Sequence, residues 1–73
     1  MDYIKEVKKI IAYMRQISLD DVYVVWFSKT LQNWKALASA NISDGLYYEI
    51  THNGDKNETY VDVYRKSEQY IVE

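Results

Sequence analysis

The stretch Ala36-Leu37-Ala38-Ser39-Ala40-Asn41-Ile42-Ser43-Asp44-Gly45-Leu46-Tyr47-Tyr48-Glu49-Ile50 decides how this chain folds, because apolar residues recur at alternate positions on both sides of a turn signal. Ser43-Asp44-Gly45 suits a three-residue hairpin loop with Gly45 left-handed, which pairs Ile42 with Leu46, Ala40 with Tyr48 and Ala38 with Ile50. Further along, Asn53-Gly54-Asp55-Lys56 suits a four-residue loop that pairs His52 with Asn57, Ile50 with Thr59, Tyr48 with Val61 and Leu46 with Val63. Both hairpins gather Ala36, Ala38, Ala40, Ile42, Leu46, Tyr48, Ile50, Val61 and Val63 on one face. A one-residue slip would turn every one of them over.

Working outward, Val22-Tyr23-Val24-Val25-Trp26-Phe27 is β-branched and aromatic on both faces, which reads as a central strand. Strands are expected at about 35–42, 46–52 and 58–66, so the sheet is an antiparallel meander of four. Before it, Ile4, Val7, Ile10, Ile11, Met14 and Ile17 form one stripe of a helix that spans 2–16, with Asp2 as N-cap and Arg15 at the carboxyl end. The alanine row offers that helix a shallow bed. The expected architecture is α+β: an N-terminal helix on a four-stranded antiparallel sheet, one domain over 1–73. The tail from Ser67 to Glu73 carries Tyr70-Ile71-Val72, which could add a short edge strand.

Composition narrows the function. The chain has 73 residues, no cysteine and no proline, so neither disulfides nor thiolate metal sites support its core. So short a chain hides only about 60% of the surface its unfolded form exposes, which makes a homo-oligomer the default expectation. A net charge of −2 argues against both sequence-independent DNA binding and DNA mimicry. No apolar run reaches the roughly 20 residues of a membrane span, and charges interrupt the first fifteen residues, so the chain is expected to be soluble and intracellular.

No catalytic constellation emerges. The single histidine, His52, lies beside a hairpin loop with Asp55, Asn57 and Glu58, where turn chemistry explains the polarity better than a metal does. Glu49 and Asp62 are a carboxylate pair on adjacent strands without a pocket. No enzyme activity, metal or cofactor is expected. Two surfaces carry recognition chemistry instead. The face opposite the alanine row collects Leu37, Ser39, Asn41, Tyr47, Glu49, Thr51, Tyr60, Asp62 and Tyr64, and Tyr47, Tyr60 and Tyr64 among acids and hydroxyls suit contact with another copy, a partner protein or a flat ligand. The connection Lys29-Thr30-Leu31-Gln32-Asn33-Trp34-Lys35 has no acid. There Lys29 and Lys35 would meet phosphates, Gln32 and Asn33 would read polar edges, and Trp34 would stack on a base or fold back over the sheet edge.

The blocks Val25-Trp26-Phe27-Ser28-Lys29-Thr30-Leu31-Gln32-Asn33-Trp34-Lys35-Ala36-Leu37 and Tyr47-Tyr48-Glu49-Ile50-Thr51-His52-Asn53-Gly54-Asp55-Lys56-Asn57-Glu58 resemble an uncharacterised family of small phage and prophage proteins of Gram-positive bacteria. The likeness covers roughly residues 22–66, and His52 stands where that family leads one to expect tyrosine. It implies no catalytic residues. It implies a protein acting in the cytoplasm of the host bacterial cell, where small phage proteins often block antiviral defence by stoichiometric binding. The expected target is a defence component: a nucleotide-derived immune signal, or a host nuclease such as a CRISPR effector covered by protein contact.

Overall fold

The computed structural model describes residues 2–42 and 45–65. Helix α1 runs Tyr3–Arg15, a 3-10 turn follows at Leu19–Asp21, and four strands complete the chain: β1 Val22–Thr30, β2 Asn33–Ala40, β3 Leu46–Asn53 and β4 Glu58–Arg65. The strands form one antiparallel sheet in the order β1-β2-β3-β4, with α1 on one face, so the fold is α+β. Among the described residues no helix is long and apolar enough to cross a membrane.

The helix begins where its chemistry starts it. The Asp2 side chain accepts from the Lys5 N–H at 3.1 Å, a cap that contributes about 1 kcal/mol. It ends at Gln16, which takes the left-handed conformation at φ 56° while the Ile17 N–H closes back onto Ala12 O at 3.0 Å. Val7 and Ile11 are fully buried, and they meet the sheet over the alanine row, where Ala36 and Ala38 have no exposed surface. Tyr48 and Ile50 complete the buried layer. Small side chains on β2 let the helix approach closely, so bulk is supplied from β3 and from the helix itself.

Several expectations change. The run Val22–Phe27 is not a central strand: among the described residues β1 is an edge, and a bulge between Val24 and Trp26 interrupts its alternation. The extra residue shifts the alternation, so Val22, Val24 and Phe27 all pair with buried alanines of β2 while Tyr23 and Trp26 pair with Ser39 and Leu37. Both hairpin registers are displaced by two residues from those expected. Ala38, not Ala40, pairs with Tyr48, and Ala36 pairs with Ile50. His52 pairs with Thr59, Ile50 with Val61 and Tyr48 with Val63. An even shift leaves side-chain direction unaltered, so the inner and outer sets survive while the partners change. Gly45 does take a left-handed φ of 66°, as a turn residue there must. Ser43, Asp44, Lys66 and the tail 67–73, with its expected edge strand, lie outside the described residues.

Helix α1 packs chiefly on β1 and then on β2, so its cover does not extend across the whole inner face. Val61 still packs against the core, but Val63, expected inside, is 50% exposed.

Candidate functional site

The segment expected to be a donor-rich connection is in fact a tight hairpin. Lys29 and Thr30 belong to β1, and Asn33, Trp34 and Lys35 belong to β2, leaving only Leu31 and Gln32 to turn the chain. Strand alternation therefore separates residues that adjacency in sequence had grouped. Lys29 pairs with Trp34 on the inner side, whereas Ser28 pairs with Lys35 on the outer side, so the two lysines stand on opposite faces of the sheet.

Trp34 is a packing residue, 7% exposed. Its ring lies 5.7 Å from Phe27, 6.2 Å from Tyr3 and 5.3 Å from His52, the last nearly parallel at 16°. Phe27 and Tyr3 stack in turn at 5.5 Å. This aromatic cluster closes the end of the core beneath the first turn of α1, so of the two alternatives for Trp34 the structure has the ring folded back into the molecule rather than free to stack on a base. Tyr3 was legible: it precedes Val7 by four residues and so lies on the same helical stripe.

The polar side chains of the hairpin are engaged inside the molecule. The Lys29 ammonium donates to Leu31 O and stands 5.7 Å over the Tyr3 ring. The Gln32 amide donates to Asp55 Oδ1, and Asn33 Oδ1 accepts the Gly54 N–H at 2.8 Å. Asn53 Oδ1 in turn accepts from the N–H groups of Asp55 and Lys56 at 3.1 and 3.3 Å. Together these bonds latch the β1–β2 turn to the β3–β4 turn. On the outer face Lys35 pairs with Glu49 at 3.5 Å, a half-exposed contact contributing less than about 1 kcal/mol.

Two open grooves flank the latched turns. On the inner side, a groove of about 570 Å³ is lined by Tyr3, Lys29, Gln32, Trp34, His52 and Thr59, with His52 Nδ1 held 2.8 Å from Thr59 Oγ1. On the outer side, one of about 350 Å³ is lined by Ser28, Asn33, Lys35, Thr51 and Asn53. Among the described residues no three His, Asp or Glu side chains converge as metal ligands.

The outer face is the larger feature. Cross-strand pairs line up as Tyr23–Ser39–Tyr47–Tyr64, then Trp26–Leu37–Glu49–Asp62, then Ser28–Lys35–Thr51–Tyr60. Tyr47, Tyr60 and Tyr64 thus share this face as expected, and the bulge adds Tyr23 and Trp26, which a reading of β1 as buried left out. No described element covers it, and Trp26, Tyr60 and Tyr64 are about half exposed. Two carboxylates, Glu49 and Asp62, stand in these rows, and Glu58 follows opposite Asn53, against the ammonium of Lys35. The Tyr60 hydroxyl donates to Glu58, and that bond, with some desolvation and the nearby negative charge, raises the Tyr60 pKa above its ordinary value of 10.0. Chemically this is a flat aromatic platform with acidic edges. Such a surface suits an apolar and basic protein patch and repels phosphates.

The model of one protein family matches the chain over residues 1–73, described as a family of unknown function (DUF6275). No curated protein and no solved structure matches it.

Proposed function

We propose that this chain, which belongs to the DUF6275 family, is a non-enzymatic binding protein of phage or prophage origin that counters bacterial antiviral defence by covering a defence protein with the outer face of its sheet. The phage context and the Gram-positive host rest on the phrasing of residues 22–66. The observation that carries the mode of action is the aromatic platform of Tyr23, Trp26, Leu37, Tyr47, Tyr60 and Tyr64, which no described element covers. Large exposed rings on a rigid sheet lose little conformational freedom on binding, which is why aromatic residues dominate protein contact energies. The acidic edges favour a partner whose own surface is basic, as that of a nucleic-acid-handling nuclease is. Size-exclusion chromatography with purified CRISPR effectors of Gram-positive bacteria tests this. Co-elution with the wild-type chain, lost in Tyr60→Ala/Tyr64→Ala, supports the reading; free elution from every effector removes it.

The inner groove favours a second reading, capture of a nucleotide-derived immune signal. There Lys29 and Gln32 lie beside the Trp34–His52 stack. Engagement of a phosphate requires the Lys29 ammonium to leave Leu31 O, and Lys35 takes no part from the far face. Calorimetry against cyclic dinucleotides and ADP-ribose derivatives decides this reading: heat of binding lost in Lys29→Ala supports it, and silence across the panel ends it.

A further inference from the structure

We propose that two copies of this chain pair through β1, antiparallel about a two-fold axis that falls between Val24 and Val25. The inference goes beyond target binding and rests on the character of the free edge. A strand edge exposes unpaired N–H and C=O groups, and proteins guard such edges with charges, proline, short strands or bulges, of which the run Val22 to Phe27 has only the bulge between Val24 and Trp26. Strand β1 has nine residues, and from Val22 to Phe27 it carries no charge at all. Tyr23, Val25 and Trp26 are nevertheless 47%, 50% and 42% exposed. The other edge, β4, is guarded by Glu58, Asp62 and Arg65. Among the described residues β1 is therefore the edge open to a further strand, and a second copy brings the same uncharged run to meet it.

The bulge sets the register. Cross-strand partners share a face, so outer residues must oppose outer residues. A two-fold on Val25 itself would set Tyr23 against the partner's Phe27, outer against inner. Moving the axis to lie between Val24 and Val25 sets Tyr23 against the partner's Trp26 and Val22 against the partner's Phe27, which matches both faces and centres the axis on the six-residue apolar run. Two Tyr–Trp pairs then stand at the middle of an eight-stranded sheet, and the two aromatic platforms become one surface.

The helical layer agrees. One flank of α1 carries Tyr3, Glu6 and Ile10 and borders the inner groove, while the opposite flank brings Ile4 and Lys8 to Leu19 and Asp20. Ile4 and Leu19 are exposed apolar residues there, and Asp2, Lys5, Lys8 and Asp20 supply both signs of charge. A two-fold therefore opposes mixed charge to mixed charge, and these side chains add area toward the roughly 1,000 Å² that a stable interface needs.

Sedimentation equilibrium of the wild-type chain at tens of micromolar is expected to give twice the monomer mass. The chain has no cysteine, so oxidation of Tyr23→Cys/Trp26→Cys reports the register without background. A disulfide requires Cα atoms about 4.4–6.8 Å apart, which the proposed pairing provides only between position 23 of one copy and position 26 of the other. A covalent dimer from the double variant, and none from either single variant, supports the pairing. A monomeric wild-type chain, or single variants that cross-link as readily as the double, overturns it. The target-binding variants lie on β4, three strands away, so loss of the target with an intact dimer, or the reverse, separates the two ideas.

Discussion

The backbone N–H of Gly54 donates to Asn33 Oδ1 at 2.8 Å, so the turn between β3 and β4 is held by the first residue of β2. The contact needs glycine for reasons of space. A Cβ at Gly54 would fall on the backbone oxygen of Gln32 and on that residue's Cβ and Cγ, and backbone cannot step aside as a flexible side-chain end does. Gly54→Ala is expected to cost about 1–3 kcal/mol through steric strain. Asn33→Ala, which removes the acceptor alone, should cost about 1 kcal/mol. Urea unfolding measures both, and faster amide exchange at position 54 in Asn33→Ala would show that the latch itself has opened.

Leu31 turns the β1–β2 hairpin at φ 55° with 78% of its surface exposed. The left-handed conformation costs an L-residue with a side chain about 1–2 kcal/mol, and nothing is recovered here by burial. Leu31→Gly is expected to stabilise the fold by about 0.5–1 kcal/mol, net of the extra freedom that glycine gains when unfolded. A fall in the urea midpoint would contradict this account of the turn.

Ala38 and Val63 lie on the same inner face, both in register with Tyr48, yet only Ala38 is under the helix. Ala38→Leu should force α1 from its bed and cost about 1–3 kcal/mol. Val63→Thr should alter stability by no more than about 0.5 kcal/mol, as surface changes do. Equal costs at the two sites would mean that the helix covers β4 as well.

Tyr60 holds its proton more tightly in the folded chain than in the unfolded one, because its hydroxyl donates to Glu58. The folded form therefore binds more protons above the ordinary tyrosine value of 10.0, and this contribution to stability is complete below that pH and is lost as pH rises through the raised folded value. NMR titration of the tyrosine ring carbons should find Tyr60 ionising later than an unperturbed phenol. In Glu58→Ala it should return to the ordinary range.

Much of this architecture was legible in the chain. The three-and-four spacing from Ile4 to Ile17 announces the helix, and the alternation from Ala36 to Ile50 sorts the sheet into faces. Less legible was the site. Lys29 and Lys35 are near in sequence but face opposite ways, because a two-residue turn continues both strands to its ends. Tyr23 and Trp26 join the outer platform only because one bulged residue shifts the alternation of β1, and no turn signal marks a bulge.

By itself, the sequence determined the class of fold, the helix with its cap, and which strand residues share a face, since these follow from local periodicity and backbone chemistry. The tertiary structure decided the pairing partners, the position of β1 at the edge and the reach of the helix. The reason is the two-residue period of a strand: it is blind to any even shift in register, and the apolarity of a side chain does not reveal which neighbour covers it.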